Sequence, residues 1–183
     1  MRHRLPALAA AMLALAAPAA LRADLAQGAK APQFVAKGAL AGKLFTVDLA
    51  QARKRGPVVL YFYPKAFTQG CTMEAHAFAE ASAEFRKAGA TVIGMSADDV
   101  PTLQRFSTEG CRDKFAVASA SPAVIRAYDV DLARDGKSSG LTKRTSYVID
   151  RQGRVAFVHS DMNYADHVRL TLAAVKKLRG GKA

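Results

Sequence analysis

The chain has 183 residues, is 50% hydrophobic and 23% charged, and carries a formal net charge of +12. That length suits one domain with a short appendage and can bury a core without disulfide staples. Its two cysteines exclude a disulfide-dense mini-protein and a four-thiolate zinc or iron–sulfur site, its apolar content excludes intrinsic disorder, and no apolar run reaches the ~18–20 residues of a membrane span.

Residues 1–23 read as an export signal, leaving residues 24–183 as a single domain. Arg2 and Arg4 give a basic start, Ala7 to Ala17 an apolar stretch, and Ala17-Pro18-Ala19 a small-x-small tripeptide that suits a signal peptidase. No cysteine follows near that point, so no lipid anchor is expected. The mature chain is expected in an oxidising compartment, a bacterial periplasm above all. Its basic charge is scattered, and the densest cluster (Lys176, Lys177, Arg179 and Lys182) ends the last helix, where it suits the helix dipole. No aromatic-interleaved basic motif is present, so no nucleic-acid partner is expected.

Residues 24–43 read as a polar lead-in. Leu44–Leu49 alternates as a short strand. Pro57–Tyr63 (PVVLYFY) is a continuous β-branched and aromatic run, the pattern of a strand buried on both faces. Thr72–Lys87 has helical spacing, with Phe78, Ala81, Phe85 and Ala88 on one side and Gly89 at its end. Thr91–Met95 predicts a second buried strand. Asp98 or Asp99 caps a helix to about Thr108, and Ser121-Pro122 opens a short helix ending near Tyr128. Leu132–Lys143 is polar and reads as a surface loop. Thr145–Ile149 and Arg154–His159 are strands joined by the turn Asp150–Gly153, and Tyr164–Leu178 predicts a final amphipathic helix. This order gives an α/β fold, a mixed central sheet flanked by helices in the thioredoxin-like arrangement.

The chemistry-bearing stretch is Tyr63–His76 (YPKAFTQGCTMEAH), which leaves a buried strand and opens a helix. Reactive groups of open α/β sheets gather at that end of the strands. Cys71 sits where the helix begins, so free backbone N–H groups and the positive end of the dipole favour its thiolate. A cysteine at such a place with a nearby cation is a nucleophile near neutral pH, its pKa drawn from ~8.5 toward roughly 3.5–7.5. Pro64 fixes the loop, Thr68 can offer a hydroxyl to a reacting oxygen, and Gly70 permits close approach.

Pro64-x-x-x-Thr68-x-x-Cys71 at a strand-to-helix junction resembles the active-site signature of the peroxiredoxins, nearest to the bacterioferritin-comigratory-protein or peroxiredoxin-Q subfamily of the AhpC/TSA-like proteins. The likeness extends over roughly residues 28–178, with VIGMS from Val92 to Ser96 and RTSYVID from Arg144 to Asp150 as matching strands. It implies a thiol peroxidase that reduces hydrogen peroxide and organic hydroperoxides and needs no metal, flavin or nicotinamide. Cys71 would attack the peroxide and become a sulfenic acid. Thr68 and the Cys71 N–H would hold the peroxide oxygens. Arg144 would stabilise the thiolate and the charge on the leaving oxygen, and Glu74 would orient Arg144. Relatives of this subfamily are often monomers, and a monomer is expected here.

Many members carry a second cysteine five residues after the first, a place held here by His76. Cys111, in EGCRDKF, falls close to where a subset of the subfamily places its resolving cysteine. The resemblance implies an intrachain Cys71–Cys111 disulfide reopened by a thioredoxin-like or other thiol reductant; a one-cysteine enzyme is the alternative. His76, His159 and His167 read as surface or packing residues. Competing readings are a thioredoxin-type oxidoreductase, which lacks its C-x-x-C because position 74 is Glu; a copper-delivery or other metal-binding module, which lacks C-x-x-x-C because position 75 is Ala; and a periplasmic redox sensor without turnover.

Overall fold

The computed structural model describes residues 24–180, so the export signal expected at 1–23 lies outside the described residues. The centre is β3 (Val58–Phe62), every residue of which is buried. On one side it pairs in parallel with β4 (Thr91–Ser96), and on the other antiparallel with β8 (Thr145–Ile149), register Val58↔Ile149 to Phe62↔Thr145. With β1 (Val35–Leu40), β2 (Lys43–Asp48), β5 (Ala116–Ser119) and β9 (Val155–Ser160) they form one seven-stranded sheet in the order β2-β1-β5-β4-β3-β8-β9. This is the expected mixed sheet of a thioredoxin-like fold.

The two-residue period of β3 divides the core. Val58, Leu60 and Phe62 enter one apolar layer with Leu49 and Ala52 of α1 (Leu49–Arg55) and Ile125 of α5 (Pro122–Ala127). Val59, Tyr61 and Tyr63 enter the other. That second layer is covered by α2 (Gln69–Glu80), α3 (Ser82–Lys87), α4 (Val100–Glu109) and α6 (His167–Gly180), and it holds both cysteines. Burying an aromatic of this size contributes roughly 1.5–3 kcal/mol, and Tyr61 stacks on Phe78 with ring centroids 4.3 Å apart.

Several sequence expectations need correction. The lead-in 24–43 contains β1, a strand of poor β formers (VAKGAL) held by ladders to β2 and β5. Neither α1 nor β5 was expected; each is short, and β5 (AVAS) exists because β4 and β1 flank it. The single helix over Thr72–Lys87 is two helices that begin earlier and break at Ala81, a break the local helix formers do not signal. Leu132–Lys143 is no irregular loop. Asp131–Arg134 (β6) and Lys137–Thr142 (β7) make a two-stranded hairpin. Its turn is Asp135-Gly136 with φ 51° and 73°, the left-handed pair that matches the strand twist. The polar exposed residues around it carry no hydrophobic alternation, so only the turn pair announces it.

Candidate active site

The loop from β3 to α2 carries Pro64, Thr68 and Cys71 on one continuous piece of backbone. Tyr63 N–H donates to Met95 O at 3.0 Å and Thr142 Oγ1 donates to Tyr63 O at 2.7 Å, which ties the strand end on both sides. Half-buried Pro64 follows just past the C-terminal end of this central strand. Asp98 then anchors the turn: its Oδ2 accepts from Ala66 N–H at 2.7 Å and from Ser96 Oγ at 2.8 Å. Asp99, not Asp98, caps α4, accepting from Thr102 N–H at 2.8 Å. Phe67 takes φ 64°, a left-handed conformation that costs an L-residue roughly 1–2 kcal/mol. Its ring lies edge-on to Phe106 at 5.2 Å, which helps to hold the bend.

Thr68 is the N-cap of α2 and is exposed. Its hydroxyl donates to Lys65 O at 2.9 Å instead of capping the helix. The hydroxyl hydrogen is thereby committed, and the oxygen lone pairs are left to accept. Cys71 is the third residue of α2 and 1% exposed. Its N–H is one of the four that a helix start leaves without an intrahelical partner.

Arg144, between β7 and β8, reaches this point from the far end of the sequence and is itself buried. All three guanidinium nitrogens are used. Nη2 donates to Cys71 Sγ at 3.6 Å, Nη1 to Glu74 Oε2, and Nε to Met162 O at 3.0 Å. Burial works against its charge, yet Glu74 and Cys71 hold the guanidinium more firmly protonated than usual. A Cβ on Gly70 would stand 3.3 Å from Nη2, so the bare α-carbon makes room for the cation. Glu74 is wholly buried; burial pushes its carboxyl up to about 8 against the pull of Arg144.

Behind Glu74 stands a histidine whose expected place is the surface or the packed core. His167 is fully buried, its Nδ1 2.8 Å from Ser146 Oγ and 3.7 Å from Glu74 Oε1. The signal was present in the sequence: His167, Thr171 and Val175 share one buried stripe of α6. His76 is half-buried, with Nε2 3.4 Å from Glu109 O, and His159 lies on β9.

Cys111 follows α4, its N–H donating to Phe106 O at 2.9 Å. Both cysteines are buried free thiols in the same apolar layer, with Tyr61, Tyr63 and Phe106. Burial pushes the Cys111 thiol upward, so in this packing it stays protonated. The next two residues, Arg112 and Asp113, have φ 49° and 60°.

A thiol at a helix start, a buried cation bonded to it and a carboxyl bonded to that cation make a site suited to displacement on a polar bond with a departing anion. Comparison with known proteins agrees. The model of the AhpC/TSA family matches residues 27–158. A chloroplastic peroxiredoxin Q of Triticum aestivum is 32% identical over 155 residues, which span 84% of this chain and 68% of that protein. The crystal structure of the peroxidoxin BcpB from Mycobacterium tuberculosis superposes with a TM-score of 0.72 at 31% identity, covering 83% of this chain and 97% of that one. The bacterioferritin comigratory protein of Xanthomonas campestris, studied for its alkyl peroxide reduction activity, gives 0.69 at 31% identity over 78% of this chain and 91% of that one. The chain belongs to the AhpC/TSA family and is a peroxiredoxin, a thiol peroxidase of the kind that includes peroxiredoxin Q and the bacterioferritin comigratory proteins.

Proposed function

We propose that Cys71 is the peroxidatic residue and that hydrogen peroxide and organic hydroperoxides are its substrates. The thiolate attacks the terminal oxygen, the O–O bond breaks, Cys71 becomes a sulfenic acid, and the leaving hydroxide or alkoxide takes a proton from solvent. The observation that carries the reading is the Arg144 guanidinium bonded to both Cys71 Sγ and Glu74. A cation so placed favours the thiolate before attack and the leaving oxygen during it. The Thr68 lone pairs accept a hydrogen bond from the hydroperoxide O–H, and the Cys71 N–H donates to a peroxide oxygen. Exposed Phe67 lies within the motif and exposed Met73 just after it, which favours organic hydroperoxides beside hydrogen peroxide, as does the activity of the Xanthomonas relative.

Cys111 then attacks the sulfenic sulfur. A disulfide forms, water leaves, and a thioredoxin-like dithiol reduces the pair while becoming a disulfide itself. Both thiols are buried on separate elements, so the exchange requires local opening. The helix start that holds Cys71 unwinds so that its sulfur leaves the pocket, and left-handed turns lie close to both thiols, at Phe67 and at Arg112-Asp113. We further propose that the segment 1–23 directs export, that the domain of residues 24–183 works as a monomer in an oxidising compartment such as a bacterial periplasm, and that nucleic acid is not a partner. Among the described residues no helix is long and apolar enough to cross a membrane.

The test is steady-state consumption of hydrogen peroxide and an alkyl hydroperoxide with a dithiol reductant. Wild type is expected to turn over and Cys71→Ser to be inactive; a wild-type rate no higher than that of Cys71→Ser overturns the reading. N-terminal sequencing of the protein from a periplasmic extract tests export: a start at Met1 would defeat it.

A further inference from the structure

His167 lies outside the signature, yet it is among the most deeply buried polar groups of the site. Its Nε2 is 2.9 Å from Asp161 O. A carbonyl oxygen only accepts, so Nε2 carries the hydrogen, and the neutral ring keeps a lone pair on Nδ1. That lone pair accepts from the Ser146 hydroxyl at 2.8 Å. Glu74 Oε1, 3.7 Å from the same Nδ1, is buried without a hydrogen-bond partner.

The bond to Asp161 reaches Arg144 within one residue. Asp161 N–H donates to Arg144 O at 3.2 Å, and the carbonyl of the next residue, Met162, accepts from Arg144 Nε at 3.0 Å. The imidazole therefore clamps the short segment that clamps the guanidinium. Were Met162 O to shift, the guanidinium plane would pivot on its contact with Glu74, and Nη2 would swing away from Cys71 Sγ.

We propose that His167 is a positioning residue for Arg144: a neutral imidazole, fixed with Nε2–H toward Asp161 and Nδ1 toward Ser146 and Glu74, keeps the guanidinium aimed at the Cys71 sulfur. The proposal rests on the peroxidase reading for its chemical purpose, while the alignment itself is read on the thiolate. The ionisable groups facing the ring are Glu74 from α2, Arg144 ahead of β8, His159 on β9 with ring centroids 4.6 Å apart, and Asp161 at the end of β9. Burial first, then His159 and Arg144, push the His167 ring down to about 4, although Asp161 opposes them. The imidazole is thus neutral at the pH where the thiolate must work. A proton forced onto Nδ1 would displace the Ser146 donor and turn the ring toward Glu74 Oε1, in competition with Arg144 for that carboxyl.

The experiment compares wild type, His167→Leu and His167→Gln in the full chain. Two quantities are read: the Cys71 thiolate population across pH by ultraviolet absorbance, with Cys111→Ser as background, and the second-order rate with hydrogen peroxide by stopped flow. His167→Leu is expected to lower the thiolate population near neutral pH and to slow the reaction about tenfold, the equivalent of one pH unit in the thiol titration. His167→Gln, whose amide can donate to Asp161 O and accept from Ser146, is expected to recover most of both. A folded Leu variant equal to wild type in both readouts overturns the proposal, as does a Gln variant as impaired as Leu. Nitrogen NMR of wild type keeps the test open if neither variant folds: an Nε2–H neutral ring at neutral pH is expected, and an Nδ1–H or charged ring overturns it. If wild type shows no peroxide reaction, the peroxidase reading fails, while the thiolate titrations still decide the alignment.

Discussion

Arg144 Nη2 donates to Cys71 Sγ at 3.6 Å across 73 residues of sequence, and the same guanidinium holds the buried carboxyl of Glu74 three residues further along α2. The helix thus offers a sulfur and a carboxyl one turn apart, and the start of β8 brings the cation to both. Replacement by methionine keeps much of the apolar stem and removes every hydrogen bond. Arg144→Met is expected to lower the thiolate population near neutral pH and to slow peroxide attack about 100-fold or more, the scale of losing a charge-stabilising donor. Ultraviolet thiolate titration with stopped-flow kinetics checks it, and unchanged values in both would rule out the role given to this arginine.

Gly70 lies against the same guanidinium. Gly70→Ala places a methyl group 3.3 Å from Nη2, tight enough to displace the cation by a few tenths of an ångström. Alanine is the better helix former, so thermal stability is expected to hold or rise while the peroxide rate falls roughly threefold to tenfold. A rate equal to wild type would mean that the guanidinium has slack.

Thr68 gives its hydroxyl hydrogen to Lys65 O and leaves its lone pairs outward. Thr68→Val keeps the shape and removes the acceptor. The circular dichroism spectrum is expected to be unchanged and the second-order peroxide rate to drop roughly tenfold to 100-fold, somewhat less than for a charged donor. An unaltered rate would contradict a hydroxyl role in holding the peroxide.

For resolution the test is covalent. After one equivalent of hydrogen peroxide, non-reducing peptide mapping is expected to recover a Cys71–Cys111 linked peptide from wild type and none from Cys111→Ser. The variant should accumulate sulfenic acid and then over-oxidise. A wild-type map without the linked peptide would leave external thiols as the resolving partner.

The buried titrating pair predicts a pH dependence of stability. His167 is depressed from its ordinary value of 6.5 to about 4, so its contribution is fully present above 6.5 and is lost as pH falls through about 4. Glu74 is raised from 4.5 to about 8, so its contribution is present below 4.5 and is lost as pH rises through about 8. The two oppose each other in the acid range, and their separation needs a variant. His167→Gln cannot titrate. Relative to wild type it is expected to gain unfolding free energy as pH falls from 6.5 to 4, on the order of 3 kcal/mol. Urea unfolding at a series of pH values measures this difference, and a flat difference would mean that the ring titrates in the folded protein as it does in the open chain.

The amino-acid sequence alone determined the elements whose signal is local. The run PVVLYFY reads as a strand covered on both faces, because it is short, rich in β-branched and aromatic residues and leaves no side for water. The loop after it and the cysteine at the helix start follow from spacing, and the resemblance of Pro64, Thr68 and Cys71 to a known signature implies the chemistry. The elements that stayed hidden are stabilised by partners far away in sequence. β1 and β5 have weak intrinsic preferences and exist because the sheet closes around them. The hairpin at 131–142 hangs on one Asp-Gly turn. Only the tertiary structure decided how the cation is aimed. Glu74, Arg144, Met162, Asp161 and His167 lie on four separate stretches of chain, and each is held by bonds to the others. A hydrogen bond acts over about 3 Å, while sequence distance says nothing of which stretches meet. The sulfur and, through the resemblance, its arginine and carboxyl partners are therefore legible in the chain, while the segment Asp161-Met162 and the imidazole that aim the guanidinium come only from the folded arrangement.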